Sequence, residues 1–390
     1  MSFELPTPSA EERQRSQKLT ELIQQKIREH QGQISFESYM HMYLYTKQLG
    51  YYESGAEIFG AQGDFTTSPQ RSRFFALAFA QHIKNIQSDI GDFSIVEIGA
   101  GSGRFACDLI KALSANQSEP LHYYIVETSK SLISRQQNYL KKELKDNRVE
   151  VTWLEDFQQP LECAFVIANE VLDALPVCAL SIDEDEVYER CVSEKDGELK
   201  FSTRKASAEL HEKATQRLSG AVGIEYEQLS QPYNTEINLG LPGFIQQIAS
   251  FVKRGLYFFI DYGYPRQEYY LPERSMGTLI CHYKHVANDQ LLRWPGLQDI
   301  SCNVDFTALA EEGTQAGLSL NCYCTQAHFL LKSDFLAQLS SEELTLTEQS
   351  EIKQLMMPAE MGERFQVMVF GKNIHLDTEQ FTTRNLLHRL

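Results

Sequence analysis

Residues 93–113 allow few local geometries. Phe93-Ser94-Ile95-Val96 is a short run suited to a buried strand, and Glu97 and Ile98 follow it. Glycines then occupy positions 99, 101 and 103. From Phe105 to Leu113 the apolar residues recur at helical spacing. The order is strand, tight turn, helix. A glycine turn lets a ligand approach the backbone where a Cβ would clash. The helix start adds unpaired N–H groups and a partial positive charge. A nucleotide-type binding site is the functional expectation; a purely structural turn is the other.

The form of the turn narrows the ligand. Gly99-x-Gly101-x-Gly103 departs from the G-x-G-x-x-G dinucleotide fingerprint, and no Lys-Ser/Thr pair follows it as in a P-loop. A triphosphate calls for cations, whereas a ligand ending in a zwitterionic methionine does not. Acid-x-Gly-x-Gly-x-Gly after a first strand is similar to the first motif of class I methyltransferases. That likeness implies S-adenosyl-L-methionine as cofactor, with Glu97, Gly99, Gly101 and Gly103 at its site; a dinucleotide is the competing ligand.

Acids recur where further apolar runs end. Tyr123–Val126 leads into Glu127, suited to accept from both ribose hydroxyls or to cap the next helix. Val149–Leu154 leads into Glu155, Asp156 and Phe157. Asp156 is a candidate acceptor for an adenine amino group, with the aromatic beside it as a cover. Ala164–Ala168 leads into Asn169, Glu170 and Asp173, and Leu256–Ile260 into Asp261. Carboxylates at the ends of sheet strands can bind and orient a cationic nucleophile; Glu170 and Asp173 could also simply cap the following segment.

Strands alternating with helices over 104–115 and 130–145, and with a short helical turn near 156–162, predict an α/β, doubly wound parallel sheet. The expected organisation is an N-terminal helical cap over 1–90, a Rossmann-like domain over 91–170 and 255–390, and an inserted α+β subdomain over 171–254. Within the insertion, Asp196-Gly197 between Val187–Val192 and Glu198–Ser202 signals a hairpin. Residues 318–331 and 365–372 read as a β-rich C-terminal pair. Ser35 and Ser38 both suit the cap of a second helix.

Composition excludes some classes. A net charge of −17 argues against non-specific nucleic-acid binding. No run of ~18 apolar residues suggests a membrane span. The first 30 residues, with acids at 4, 11, 12 and 21, resemble neither a signal nor a transit peptide. The eight cysteines are dispersed in apolar runs, and only Cys322 and Cys324 are close, on one face if that run is a strand. A cytoplasmic chain with reduced cysteines is expected. His282 and His285 lack a third ligand at recognisable spacing, so no metal is expected.

Beyond the glycine turn, the chain carries Gly63-Asp64-Phe65-Thr66-Thr67-Ser68-Pro69, Asn169-Glu170-Val171-Leu172-Asp173-Ala174-Leu175-Pro176, Asp261-Tyr262-Gly263 and Gly277-Thr278-Leu279. With Gly50-Tyr51-Tyr52, Val304-Asp305-Phe306-Thr307 and Pro358–Glu363, these resemble the MidA-like family, which includes the mitochondrial complex I assembly methyltransferase. The likeness spans roughly 34–370. It implies a class I methyltransferase fold, S-adenosylmethionine, and, in mitochondrial members, symmetric dimethylation of an arginine in a complex I subunit. It further implies that Asp64, Phe65, Thr66 and Thr67 close over the methionine end of the cofactor, with Asn169 also at the cofactor. Glu170, Asp173 and Asp261 are then the candidate catalytic acids. Ala100 stands where relatives often have proline. A bacterial member with a protein substrate is the expectation, and a homodimer is open. A scaffold retaining the fold and a small-molecule methyltransferase are the rival readings.

Overall fold

A computed structural model of the chain describes residues 5–55, 72–115, 118, 120, 122–145, 148–157, 159–183, 186–219, 232–339, 343–374 and 376–390. The chain divides into two compact units. One draws on Thr66–Leu172, Pro242–Gly263 and Phe306–Leu390; the other on Met1–Phe65, Asp173–Leu241 and Tyr264–Asp305.

The first of these holds the central sheet. Its strands are β1 (Ser94–Ile98), β2 (Tyr123–Val126), β3 (Val151–Leu154), β4 (Leu161–Asn169), β5 (Val252–Tyr264), β6 (Ser319–Thr325) and β7 (Phe365–Lys372). They lie in the order β6-β7-β5-β4-β1-β2-β3. Pairings among β5, β4, β1, β2 and β3 are parallel. Strand β7 runs antiparallel to both β5 and β6. The strand order reverses between β1 and β4, which places a crevice beyond their C-terminal ends.

Burial explains why apolar runs rather than alternation mark these strands. All five residues of β1 are buried, because helices cover a parallel sheet on both faces. Helix α1 (Arg73–Ile90) starts at Ser72, whose Oγ accepts from Phe74 N–H at 3.2 Å. Helix α2 is Arg104–Ala115 and helix α3 is Lys130–Glu143. Phe79 of α1 meets Phe105 of α2 and Phe258 of β5, each at 5.5 Å between ring centres. Edge-on aromatic packing of this kind adds about 0.5–1.5 kcal/mol per pair beyond area burial.

Two local expectations are corrected. The described residues of 155–160 contain no helix, and β4 already begins at Leu161. Pro160 disfavours helical backbone in the residue before it, and the link is short. Residues 326–332 are helical rather than strand, since Thr325 caps them by accepting from His328 N–H at 3.4 Å. Cys322 and Cys324 do share a face of β6, with sulfurs 3.7 Å apart.

The other unit opens with helix Ala10–Glu29, held by a reciprocal Ser9–Glu12 cap. Helix Phe36–Tyr45 is capped by Ser35, which accepts from Ser38 N–H at 3.1 Å. Strands Gln33–Ser35, Glu186–Lys195, Cys178–Asp183 and Tyr233–Ile237 form an ordered sheet, with Glu198–Lys205 also pairing Glu186–Lys195. The hairpin turn is Asp196-Gly197, with φ +56° and +81°, as a two-residue turn demands. A second sheet joins Val286–Asn288, Ile280–Tyr283 and Asp299–Ser301. Glu236 is buried and accepts from Thr278 N–H at 3.0 Å and from its hydroxyl at 3.2 Å. Gly277 beside it leaves no room for a Cβ, which would lie 2.1 Å from Glu236 Oε1.

Candidate active site

The glycine turn continues the sheet before leaving it. Gly99 N–H donates to Val126 O at 3.0 Å, and Gly103 N–H to Ala100 O at 2.8 Å. All three glycines have positive φ: +66°, +53° and +81°. An L side chain at such angles costs about 1–2 kcal/mol. A Cβ on Gly99 would also come within 3.2 Å of Val171 Cγ2. The backbone is therefore bare where β1 and β4 part.

Acids lie around this turn within the same unit. Glu97 is buried in β1, level with Ile125 of β2 and Ile167 of β4. Burial raises its pKa to about 7; the Tyr123 hydroxyl, donating to Oε2 at 2.7 Å, works against the rise, and the Glu127 charge adds to it. Glu127 is buried at the end of β2. Its Oε1 accepts from Ser129 N–H at 3.0 Å and its Oε2 from Gln136 Nε2 at 3.2 Å.

At the end of β4, Asn169 Nδ2 donates to Glu170 Oε1 at 3.1 Å. Because a carboxylate only accepts, this bond orients the amide, and Asn169 Oδ1 is left buried without a hydrogen-bond partner among the described residues. Glu170 has φ +54°, and its N–H donates to Ile260 O at 2.8 Å. Asp261, 1 % exposed, accepts from Leu172 N–H at 3.0 Å and Tyr262 N–H at 2.9 Å. Its carboxylate thus secures the turn that follows Glu170.

The remaining candidates lie on other segments. Asp156 is exposed on the bend after β3, and the Phe157 ring packs on Phe251 at 5.3 Å. Asp173 is buried in the other unit, where its C=O accepts from Cys302 N–H at 3.0 Å. There Tyr52 donates to Asp299 Oδ1 at 3.0 Å, and burial, then Asp299, Tyr45 and Asp173, push the phenol pKa well up. Asp64, Phe65, Thr66 and Thr67 lie outside the described residues. His282 sits on strand Ile280–Tyr283 and His285 in the turn after it. Among the described residues no three His, Cys, Asp or Glu side chains gather as metal ligands.

Gln136 is the site residue that sequence reading missed. It is fully buried on α3, donating to Gly101 O at 2.9 Å and accepting from Trp153 Nε1 at 2.9 Å. A signal existed: Leu132, Gln136 and Leu140 recur every fourth residue and are the three buried positions of the helix. A polar residue inside a buried stripe calls for a partner.

An open glycine backbone, an acid ending the second strand and the orphaned Asn169 Oδ1 suit an adenosyl ligand bearing an amino acid. This sheet and site define a class I S-adenosylmethionine-dependent methyltransferase. The chain belongs to the Methyltransf_28 family of S-adenosyl-L-methionine-dependent methyltransferases, matching it over residues 74–324, in keeping with the MidA-like resemblance.

It is similar to a Burkholderia thailandensis protein whose crystal structure holds S-adenosyl-homocysteine. The two are 34% identical, with a TM-score of 0.92, covering 99% of this chain and 100% of that one. A Drosophila melanogaster protein named as a mitochondrial protein arginine methyltransferase NDUFAF7 homologue is 27% identical, over 89% of this chain and 84% of its own. The Caenorhabditis elegans protein of the same name is 25% identical, over 78% of this chain and 74% of its own. The cofactor is S-adenosyl-L-methionine. No helix among the described residues is long and apolar enough to cross a membrane.

Proposed function

We propose that this methyltransferase modifies an arginine of a protein, a respiratory complex I-type subunit or another. The names of the curated relatives support the class of substrate. A single structural observation supports the chemistry: Glu170 is held in the left-handed region, φ +54°, directly after a central parallel strand. A non-glycine residue there is strained by about 1–3 kcal/mol, and such strain persists where the surroundings over-determine it. Here Asp261 secures the following turn and Ile260 O receives the Glu170 N–H.

When bound, S-adenosylmethionine supplies an electrophilic methyl group on a sulfonium. In this reading the glycine turn and Asn169 hold its amino-acid end, Glu127 its ribose hydroxyls, and Asp156 its base. Asp64 to Thr67 form the lid, as the family resemblance implies. A guanidinium is a poor nucleophile because its lone pairs are delocalised and it stays protonated. Glu170 binds it by charge-assisted hydrogen bonds, localises its positive charge away from the reacting nitrogen and fixes the line of attack. Asp261 acts by holding Glu170 in place. Asp173 is the second candidate carboxylate for the substrate.

Glu170→Gln tests this. Transfer of labelled methyl groups from the donor into a lysate should fall at least ~100-fold, as for other removed charge stabilisers, while affinity for S-adenosyl-homocysteine stays within about threefold. Wild-type turnover in the variant would refute the carboxylate role. Mass spectrometry of the labelled product identifies the modified atom, and a product without methylarginine would refute the substrate class.

A further inference from the structure

Gln136 joins the glycine turn, the end of β2 and strand β3 with one side chain. Its Nε2 donates to Gly101 O in the glycine turn, 2.9 Å, and to Glu127 Oε2 after β2, 3.2 Å. Its Oε1 accepts from the Trp153 indole of β3, 2.9 Å. The amide orientation is unambiguous, because an indole N–H only donates, and a carbonyl and a carboxylate only accept. A Cβ on Gly103 would lie 3.4 Å from Gln136 Cγ, so the helix also packs directly on the turn.

An amide at this position does more than fill space. Leu132 and Leu140 take the neighbouring places on the same buried stripe; a leucine at 136 would bury comparable apolar volume but deprive Gly101 O, Glu127 Oε2 and Trp153 Nε1 of this partner. A fully satisfied buried polar network instead fixes orientation. What it orients is the Glu127 carboxylate, held on one oxygen by Ser129 N–H and on the other by Gln136. Glutamate at 136 could not donate to either partner, and would place a second charge beside Glu127.

We propose that Gln136 is a positioning residue that aims the Glu127 carboxylate at the ribose hydroxyls of the adenosyl ligand. Discrimination for the ribose then depends on the link from Trp153 through Gln136 to Glu127. The proposal rests on the assignment of Glu127 to the ribose.

The test is a cycle on the full chain with two probes, S-adenosyl-homocysteine and its 2′,3′-dideoxy analogue, measured by calorimetry. In wild type, removing the hydroxyls should weaken binding about 100-fold, as for two charge-assisted hydrogen bonds. In Gln136→Leu that ratio should fall to about 10-fold or less. A merely structural role would weaken both probes equally and leave the ratio unchanged, which would overturn the proposal. Trp153→Phe keeps the ring and frees the amide from its anchor; it should lower the ratio about threefold. It also decides the matter if Gln136→Leu does not fold, an unchanged ratio in Trp153→Phe refuting the idea. If wild type fails to bind S-adenosyl-homocysteine, the cofactor site itself is misassigned. If it binds both probes equally, Glu127 does not read the ribose and the role of Gln136 falls with it.

Discussion

Glu97→Gln isolates the energetic consequence of a buried acid under the glycine turn. Glu97 is 5% exposed, and burial raises its pKa from 4.5 to about 7 despite the Tyr123 hydrogen bond. A raised carboxylate pKa means that the folded protein keeps a proton the unfolded chain has released. Stability from this group is therefore highest below pH 4.5, falls as pH rises to about 7, and is flat above. Moving the carboxyl pKa from 4.5 to about 7 makes the loss about 3 kcal/mol. Glutamine still accepts from Tyr123 but does not titrate. The variant should therefore gain about 3 kcal/mol on wild type between pH 4 and pH 8. Urea unfolding across that range measures it, with Trp153 fluorescence in a Trp294→Phe background reporting the unit that holds Glu97. Titrating groups that do not interact with Glu97 cancel in the comparison, and the coupling to the Glu127 charge is part of the difference measured. A difference between the two proteins that stays constant within about 0.5 kcal/mol over the range would refute the reasoning.

Gly101→Val should abolish measurable binding of S-adenosyl-homocysteine, because the turn has φ +53° there and a side chain would meet the ligand's path; unchanged affinity by calorimetry would move the site elsewhere. Gly277→Ala should destabilise its unit by at least ~2 kcal/mol, combining φ +77° with a Cβ 2.1 Å from Glu236 Oε1. Denaturant melts followed by Trp294 would show it, and a wild-type midpoint would contradict the contact. Asp261→Asn leaves one of two backbone N–H groups without its acceptor, so stability should drop by about 1–3 kcal/mol. Urea unfolding measures it, and a wild-type midpoint would argue against its role in holding the Glu170 turn.

Much of the sheet was legible because its strands are buried on both faces and so appear as unbroken apolar runs. Tyr123–Val126 has the bounds that its run suggested, and Ser94–Ile98 lies within the stretch that begins at Phe93. Where the same signal is ambiguous it misled: Ala327, Phe329, Leu330 and Leu331 suit strand or helix equally, and the Thr325 cap decides for helix. The positive-φ glycine turn and the buried acid after β2 were legible because both are set by consecutive residues around a strand end. Gln136 shows in the sequence only as a polar residue in an apolar stripe; its partners Gly101, Glu127 and Trp153 lie 35, 9 and 17 residues away, so its role there was not legible.

The local chemistry of the glycine turn belongs to the chain order itself: strand, acid, three glycines, helix. Backbone sterics and helix-end polarity act over a few residues, so they are written into consecutive positions. Which acids stand beside that turn is a matter of long-range packing. The pairing of β4 with both β1 and β5 brings Asn169 and Glu170 next to Gly99 and gives Asp261 the Leu172 N–H, while Asp173, three residues beyond Glu170, belongs to the other unit. Hydrogen-bond registers between strands far apart in sequence set those neighbours, and no local pattern encodes them.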